Sequence, residues 1–257
     1  MKRVLTATAL IPIVSWVIFL APYPVFWTVV AAFAVLCYRE YTRLVRSSGY
    51  EPFAIPGYAI GLLLLAGVSQ TLALLPMLTA VAALSLALRN DDLKRALPSA
   101  GAFALGVFYV FGAWNSALVL WRVAPGWLFF AVALNWAGDI AAFYVGRAIG
   151  KHKLAPVVSP GKSWEGAIAS ALAAMLFGGV LLHFVEPSFA VWKAIGLAFA
   201  GNVAGQLGDL AESALKRGAG VKDSGTMLPG HGGWLDRLDS SLFSMPVVAA
   251  LLSLLRG

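Results

Sequence analysis

Cysteine is almost missing from this chain: Cys37 is the only one in 257 residues. A single cysteine excludes an intrachain disulfide and any metal site built on cysteine pairs. In its apolar stretch Cys37 reads as a small hydrophobe. Charge is scarce too, at 12% of residues, where soluble domains carry about 25%. With 60% hydrophobic residues and a mean hydropathy of +0.81, the chain holds more apolar surface than one water-soluble core can hide. A polytopic membrane protein is expected. Acidic residues are the scarcer charges, 12 against 19 Lys and Arg, for a net charge of +7. In a membrane chain this excess does not imply nucleic acid. Lys and Arg collect on the cytoplasmic side and attract anionic headgroups or nucleotides. No stretch resembles a cleavable signal peptide, since Lys2-Arg3 opens directly into an apolar run that reads as a retained first span. No repeat, low-complexity tract or soluble domain interrupts the chain.

A helix needs about 20 apolar residues to cross a bilayer. By that rule about nine spans are expected, near 4–22, 24–40, 55–70, 72–88, 99–121, 126–148, 164–184, 189–211 and 240–255. The fold class is therefore all-α, a polytopic transmembrane helix bundle with a polar cavity facing the cytoplasm. One membrane domain is expected over 1–257, with N-terminal helices in 1–125 and the polar motifs in 126–257. Charge placement supports the count. Arg39, Arg43 and Arg46 follow the second span, and Arg89, Lys94 and Arg95 the fourth. Arg147, Lys151, Lys153 and Lys162 follow the sixth, and Lys216, Arg217, Lys222 and Arg237 the eighth. The intervening exits hold little charge. This alternation puts the N-terminus and every basic loop in the cytoplasm. Tyr23, Trp27, Trp121, Trp127 and Trp192 suit an interfacial belt.

The polar residues gather late in the chain. Asp139 lies inside the sixth span, where a charge faces a bundle interior or a water-filled cavity; a structural pair with Arg147 is the plainer alternative. Lys151 to Ser163 reads as a basic cytoplasmic loop, with a turn at Pro160-Gly161. Lys162 and Ser163 stand just before the seventh helix, whose free N–H groups suit a phosphate, although Ser163 also suits a simple N-cap. Pro-Gly-Lys-Ser lacks Walker A spacing and is no P-loop. Asp209, Glu212, Ser213 and Lys216 fall at i, i+3, i+4 and i+7, one helical face. Glycines between Gly218 and Gly233 allow close backbone approach to a ligand, and His231 among them could contact phosphate or base or only close the turn. Asp236 and Asp239 stand where the last span begins. Carboxylates of this kind suit Mg²⁺, which takes one or two and shares the rest with water and phosphates.

These residues resemble the phosphatidate cytidylyltransferase (CDP-diacylglycerol synthase) family. The family's C-terminal signature appears as Ser213, Lys216-Arg217, Lys222-Asp223, His231-Gly232-Gly233, Asp236-Arg237 and Asp239, at family spacing. Gly150-Lys-His-Lys through Ser159-Pro-Gly-Lys-Ser-Trp-Glu-Gly166 looks like a second family block, and Arg3-Val-Leu-Thr-Ala with Pro12 like its N-terminus. Trp234 stands where the family usually has an aliphatic residue, and Ser163 where many members have Thr. The resemblance implies a reaction: CTP and phosphatidate give CDP-diacylglycerol and pyrophosphate, with Mg²⁺. It also implies roles. Asp209 and Asp236 are expected as metal ligands, with Asp239 as ligand or support. Lys162, Lys216 and Arg217 are expected at the reacting phosphates. Ser163, Ser213, Lys222, Asp223, His231, Gly232, Gly233, Arg237 and Asp139 are expected around the substrates. A monovalent cation beside Mg²⁺ and a homodimer stay open, and no nucleic acid is expected as a partner. The implied setting is a bacterial inner membrane with a cytoplasmic active site. The alternatives are a CTP-dependent enzyme for another lipid phosphate or polyprenol, and an ion or solute transporter using Asp139 and Asp209.

Overall fold

The structure, a computed structural model, describes residues 12–67, 74–228, 230 and 232–256. Lys2, Arg3 and the start of the first expected span lie outside these residues, as does His231. Nearly all of the regular structure is helical. Residues 12–19 form α1, followed by α2 (Tyr23–Ser47), α3 (Ala54–Ala66) and α4 (Leu75–Ala87). A 3₁₀ turn (Leu93–Arg95), α5 (Ala96–Gly106), a π-helical turn (Val107–Gly112) and α6 (Ala113–Val123) run on without a break. Then come α7 (Pro125–Ile149), β1 (Lys153–Ala155), β2 (Ser159–Ser163), α8 (Trp164–Val185), α9 (Val191–Gly218) and α10 (Leu235–Arg256).

Among the described residues, four helical stretches are long and apolar enough to cross a membrane: Leu93–Val123, Pro125–Ile149, Trp164–Val185 and Leu235–Arg256. The surface of α8 shows what such a helix meets. Ser170, Ala174, Gly178 and Leu182 are buried along one face. Ile168, Leu172, Leu176, Val180 and Phe184 line another face and are exposed. A water-facing helix would carry polar residues there; an apolar exposed stripe belongs against hydrocarbon. The all-α, membrane-type reading therefore stands. The count of nine spans is not shown. Helices α3 and α4 have 13 residues each, about 20 Å at 1.5 Å per residue, short of the ~30 Å hydrocarbon core. Gly67, at φ 70°, ends α3 in the left-handed region that glycine adopts freely, and Pro76 sits in the first turn of α4.

One expected loop is ordered. Residues between α7 and α8 form an antiparallel hairpin with Lys153 opposite Ser163. Its turn falls at residues 156–158, not at Pro160-Gly161, which lie in β2. A two-stranded ribbon leaves edge positions where a missing proline N–H costs nothing.

The described chain divides into two compact units. The first comprises Met1–Phe26, Ser116–Ala214 and Leu238–Gly257; the second comprises Trp27–Asn115 and Leu215–Arg237. In the first unit small residues bring helices close: a Cβ at Gly138 would overlap Ser170 and Asn202, and one at Gly178 would overlap Ala198. A buried polar ladder accompanies that packing. Asn135 donates to Ser244 Oγ at 2.8 Å, and Gln206 to Asn202 Oδ1 at 2.7 Å. In the second unit aromatic rings fill the spaces over glycines. Tyr38 covers Gly57, Phe111 covers Gly61 and Tyr41 covers Gly106, while Tyr41 donates its hydroxyl to Ala102 O at 2.7 Å.

Candidate functional site

The first unit contains a cavity of about 340 Å³ lined by Asp139, Arg147, Lys162, Ser163, Gln206 and Asp209, among others. Its two walls have local causes. The hairpin delivers Lys162 on β2, two residues before the start of α8 at Trp164. Ser163 then caps that helix: its Oγ accepts from Gly166 N at 3.2 Å. Here the simple cap reading of Ser163 holds, and the residue also lines the cavity. Glu165 ties down the hairpin's start, accepting from His152 N at 3.2 Å with Nδ1 of the same residue at 2.7 Å. From the facing wall α9 presents Asp209, and Lys162 Nζ lies 2.5 Å from its Oδ2. Both side chains keep about a third of their surface open, 27% and 33%. Ser213, one turn on, donates to Asp209 Oδ1 at 3.4 Å. The cavity therefore holds an accessible ammonium and an accessible carboxylate beside a capped helix N-terminus. Such a place can exchange its internal ion pair for a phosphate and a cation.

Asp139, expected to face a cavity, does so, and Arg147 lines the same space. Asp239 belongs to the same unit. Its Oδ1 accepts from Ser240 N at 2.7 Å, and its backbone carbonyl lies so close to Gly208 that a Cβ there would approach to 2.7 Å.

The second unit contains the other polar centre. Lys216 Nζ meets Asp236 Oδ1 at 2.6 Å, with only 11% and 4% of the two side chains exposed. The other oxygen of Asp236 is surrounded by donors. Gly233 N donates to it at 2.7 Å and Ser224 N at 2.9 Å, with Ser224 Oγ also at 2.9 Å. Gly232, at φ 78°, packs so tightly that a Cβ would come within 2.5 Å of Asp236 Oδ2 and 3.5 Å of Asp223 Cβ. The glycines expected to permit close approach thus admit an aspartate of the chain itself. Arg217 donates to Val221 O at 3.2 Å and shapes the end of α9. Arg217, Lys222, Asp223 and Arg237 are exposed.

Of the three aspartates expected at a metal, Asp209 and Asp239 fall in one unit and Asp236 in the other. Among the described residues no three His, Cys, Asp or Glu side chains gather as a metal cage.

Sequence reasoning passed over Glu40 and Ser224. Glu40 is fully buried on α2 and accepts from Ser224 Oγ, Trp234 N and Leu235 N. One signal was available: a lone carboxylate among Arg39, Arg43 and Arg46. The Asn202–Gln206 stretch of the polar ladder was also missed, since single amides in an apolar helix carry no spacing signature.

The phosphatidate cytidylyltransferase of Staphylococcus aureus (strain COL) is 44% identical over 126 residues, 49% of this chain and 48% of that protein. The proteins of the same name from Staphylococcus haemolyticus (strain JCSC1435) and Staphylococcus epidermidis (strain ATCC 35984) match with the same identity and coverage. The chain spans about half the length of the curated relatives it matches. The cytidylyltransferase family itself matches over residues 1–255, and this chain belongs to that family.

Proposed function

We propose that this chain transfers a cytidylyl group from CTP to phosphatidate, giving CDP-diacylglycerol and pyrophosphate. The observation that carries the reading is the Lys162–Asp209 pair, 2.5 Å apart and open to a cavity beside the N-terminus of α8. The relatives' shared name supplies the lipid. In this reaction a phosphatidate oxygen attacks the α-phosphorus of CTP, and the bond to pyrophosphate breaks as the new P–O bond forms. The nucleophile is already an anion, so no strong base is needed. The barrier is charge repulsion and alignment, and fixed cationic groups lower both. Lys162 turns from Asp209 to an incoming phosphate. Lys216 and Asp236 form the fixed part of the second centre, and Arg217, Lys222 and Arg237 supply accessible positive charge.

Mg²⁺ fits the donor set. Asp209 offers a hard, accessible carboxylate braced by Ser213, with Asp239 of the same unit as a further candidate; Mg²⁺ completes such a site with water and phosphate oxygens. When bound, the ion neutralises developing charge on the phosphates. A monovalent cation could share that duty. The remaining parts of the reading concern the membrane. Nine spans and a cytoplasmic N-terminus rest on the alternation of basic loops, and the inner-membrane location rests on the family resemblance.

The test is pyrophosphate release from protein purified in detergent, with CTP, Mg²⁺ and phosphatidate omitted in turn. Release is expected only with all three. Well-folded protein that releases none, with phosphatidate or any other lipid phosphate, would overturn the proposal.

A further inference from the structure

We propose that Glu40 is a positioning residue for the Lys216–Asp236 centre, a role that rests on the cytidylyl-transfer reading above. Glu40 is wholly buried on α2. Burying a carboxylate is unfavourable unless its oxygens find donors, and all three of the donors found here come from the segment leading into α10. Trp234 N donates to Oε1 at 3.1 Å, Leu235 N to Oε2 at 2.8 Å, and Ser224 Oγ lies 2.9 Å from Oε2. Leu235 is the first residue of α10. The carboxylate thus answers free N–H groups at a helix start, where negative charge is favoured.

The segment is moulded to this one side chain. A Cβ at Gly225 or at Gly233 would overlap the Glu40 carboxylate. Gly233 therefore has its α-carbon against Glu40 and its N–H on Asp236 Oδ2, at 2.7 Å. Ser224 bridges the same two acids. Its hydroxyl lies 2.9 Å from Glu40 Oε2 and 2.9 Å from Asp236 Oδ2, and with a single proton it donates to one of them at a time. Glu40 thus holds two of the groups that hold Asp236. With Oδ2 fixed in this way, Oδ1 is left facing Lys216 at 2.6 Å. In this network Glu40 acts on Asp236 through Ser224 and Gly233.

Three variants test the role. In Glu40→Gln an amide NH₂ replaces one oxygen and confronts a backbone N–H, donor against donor. Turnover per folded molecule should fall about 100-fold, the scale set by misplacing a reacting group by an ångström. Amide hydrogen exchange over 224–236 should quicken about tenfold while other helices keep their protection. Glu40→Asp keeps both oxygens and should recover part of the turnover, which a mere loss of folded protein would not explain. Wild-type turnover and wild-type local exchange in Glu40→Gln would overturn the proposal. If that variant does not fold, Ser224→Ala decides: it leaves both backbone bonds to Glu40, and unchanged exchange at 233–236 with unchanged turnover would equally overturn it. Should the unmodified protein fail to use CTP, the functional reading fails by itself, and local exchange still judges Glu40.

Discussion

Two lysine–aspartate pairs of nearly equal length differ in almost everything else. Lys162–Asp209 measures 2.5 Å and keeps about a third of each side chain open; Lys216–Asp236 measures 2.6 Å and is almost closed. In the first pair, the described contacts of the carboxylate beyond lysine come to one hydroxyl at 3.4 Å. In the second, two backbone N–H groups and a hydroxyl crowd the carboxylate. An open pair is weakly held, since solvent screens it and its partners can be replaced. A closed pair cannot lose one member without leaving the other charged and buried. Identical chemistry thus stands in two settings, one open enough to exchange partners and one closed and rigid.

That contrast can be broken by substitution. The largest effect is expected from Asp209→Asn, which removes the exchangeable charge. Turnover should drop about 10³-fold, the scale of a lost electrostatic group in an active site, while the unfolding temperature stays near that of the unmodified protein. A variant with near-normal CTP-dependent pyrophosphate release would deny the open pair its role. Asp236→Asn should instead act on folding. Stripping the buried Lys216 ammonium of this partner should cost about 3–5 kcal/mol, seen as a lower midpoint in thermal unfolding in detergent. Adding Lys216→Met should restore part of the stability and none of the turnover. Lys162→Met comes next. It should raise the KM for CTP about tenfold, as expected for one lost charge-assisted bond, and shift stability by less than about 1 kcal/mol. Smallest is Ser163→Ala, which removes the cap of α8 for about 1 kcal/mol. Equal stability losses in the Asp209 and Asp236 variants would erase the distinction between the pairs.

The parts legible in sequence are those written locally. Apolar runs located the helices because membrane helices satisfy their own backbone groups and require only length. The polar stretch from Ser213 to Asp239 was legible because its residues lie within 27 positions, so spacing alone exposed it. Ser163 as a cap followed from its place before an apolar run. What stayed hidden depends on distant packing. The hairpin of 153–163 was obscured because Pro160-Gly161 looks like a turn, and only pairing across the ribbon shows the turn elsewhere. Glu40 reads as one acid in a basic tract, because its partners lie 184 to 195 residues away. The division of the signature between two units could not be read either, since nothing in a linear motif reports which residues pack together.

The length of α8 has one more consequence. Its 22 residues extend about 33 Å, close to the ~30 Å hydrocarbon thickness. Set across a bilayer, the helix works as a ruler whose zero mark is the Ser163 cap. Lys162, immediately outside that mark, then stands at the level of the lipid phosphates, so under the proposed reading a bilayer-bound phosphatidate would meet this lysine without leaving its leaflet.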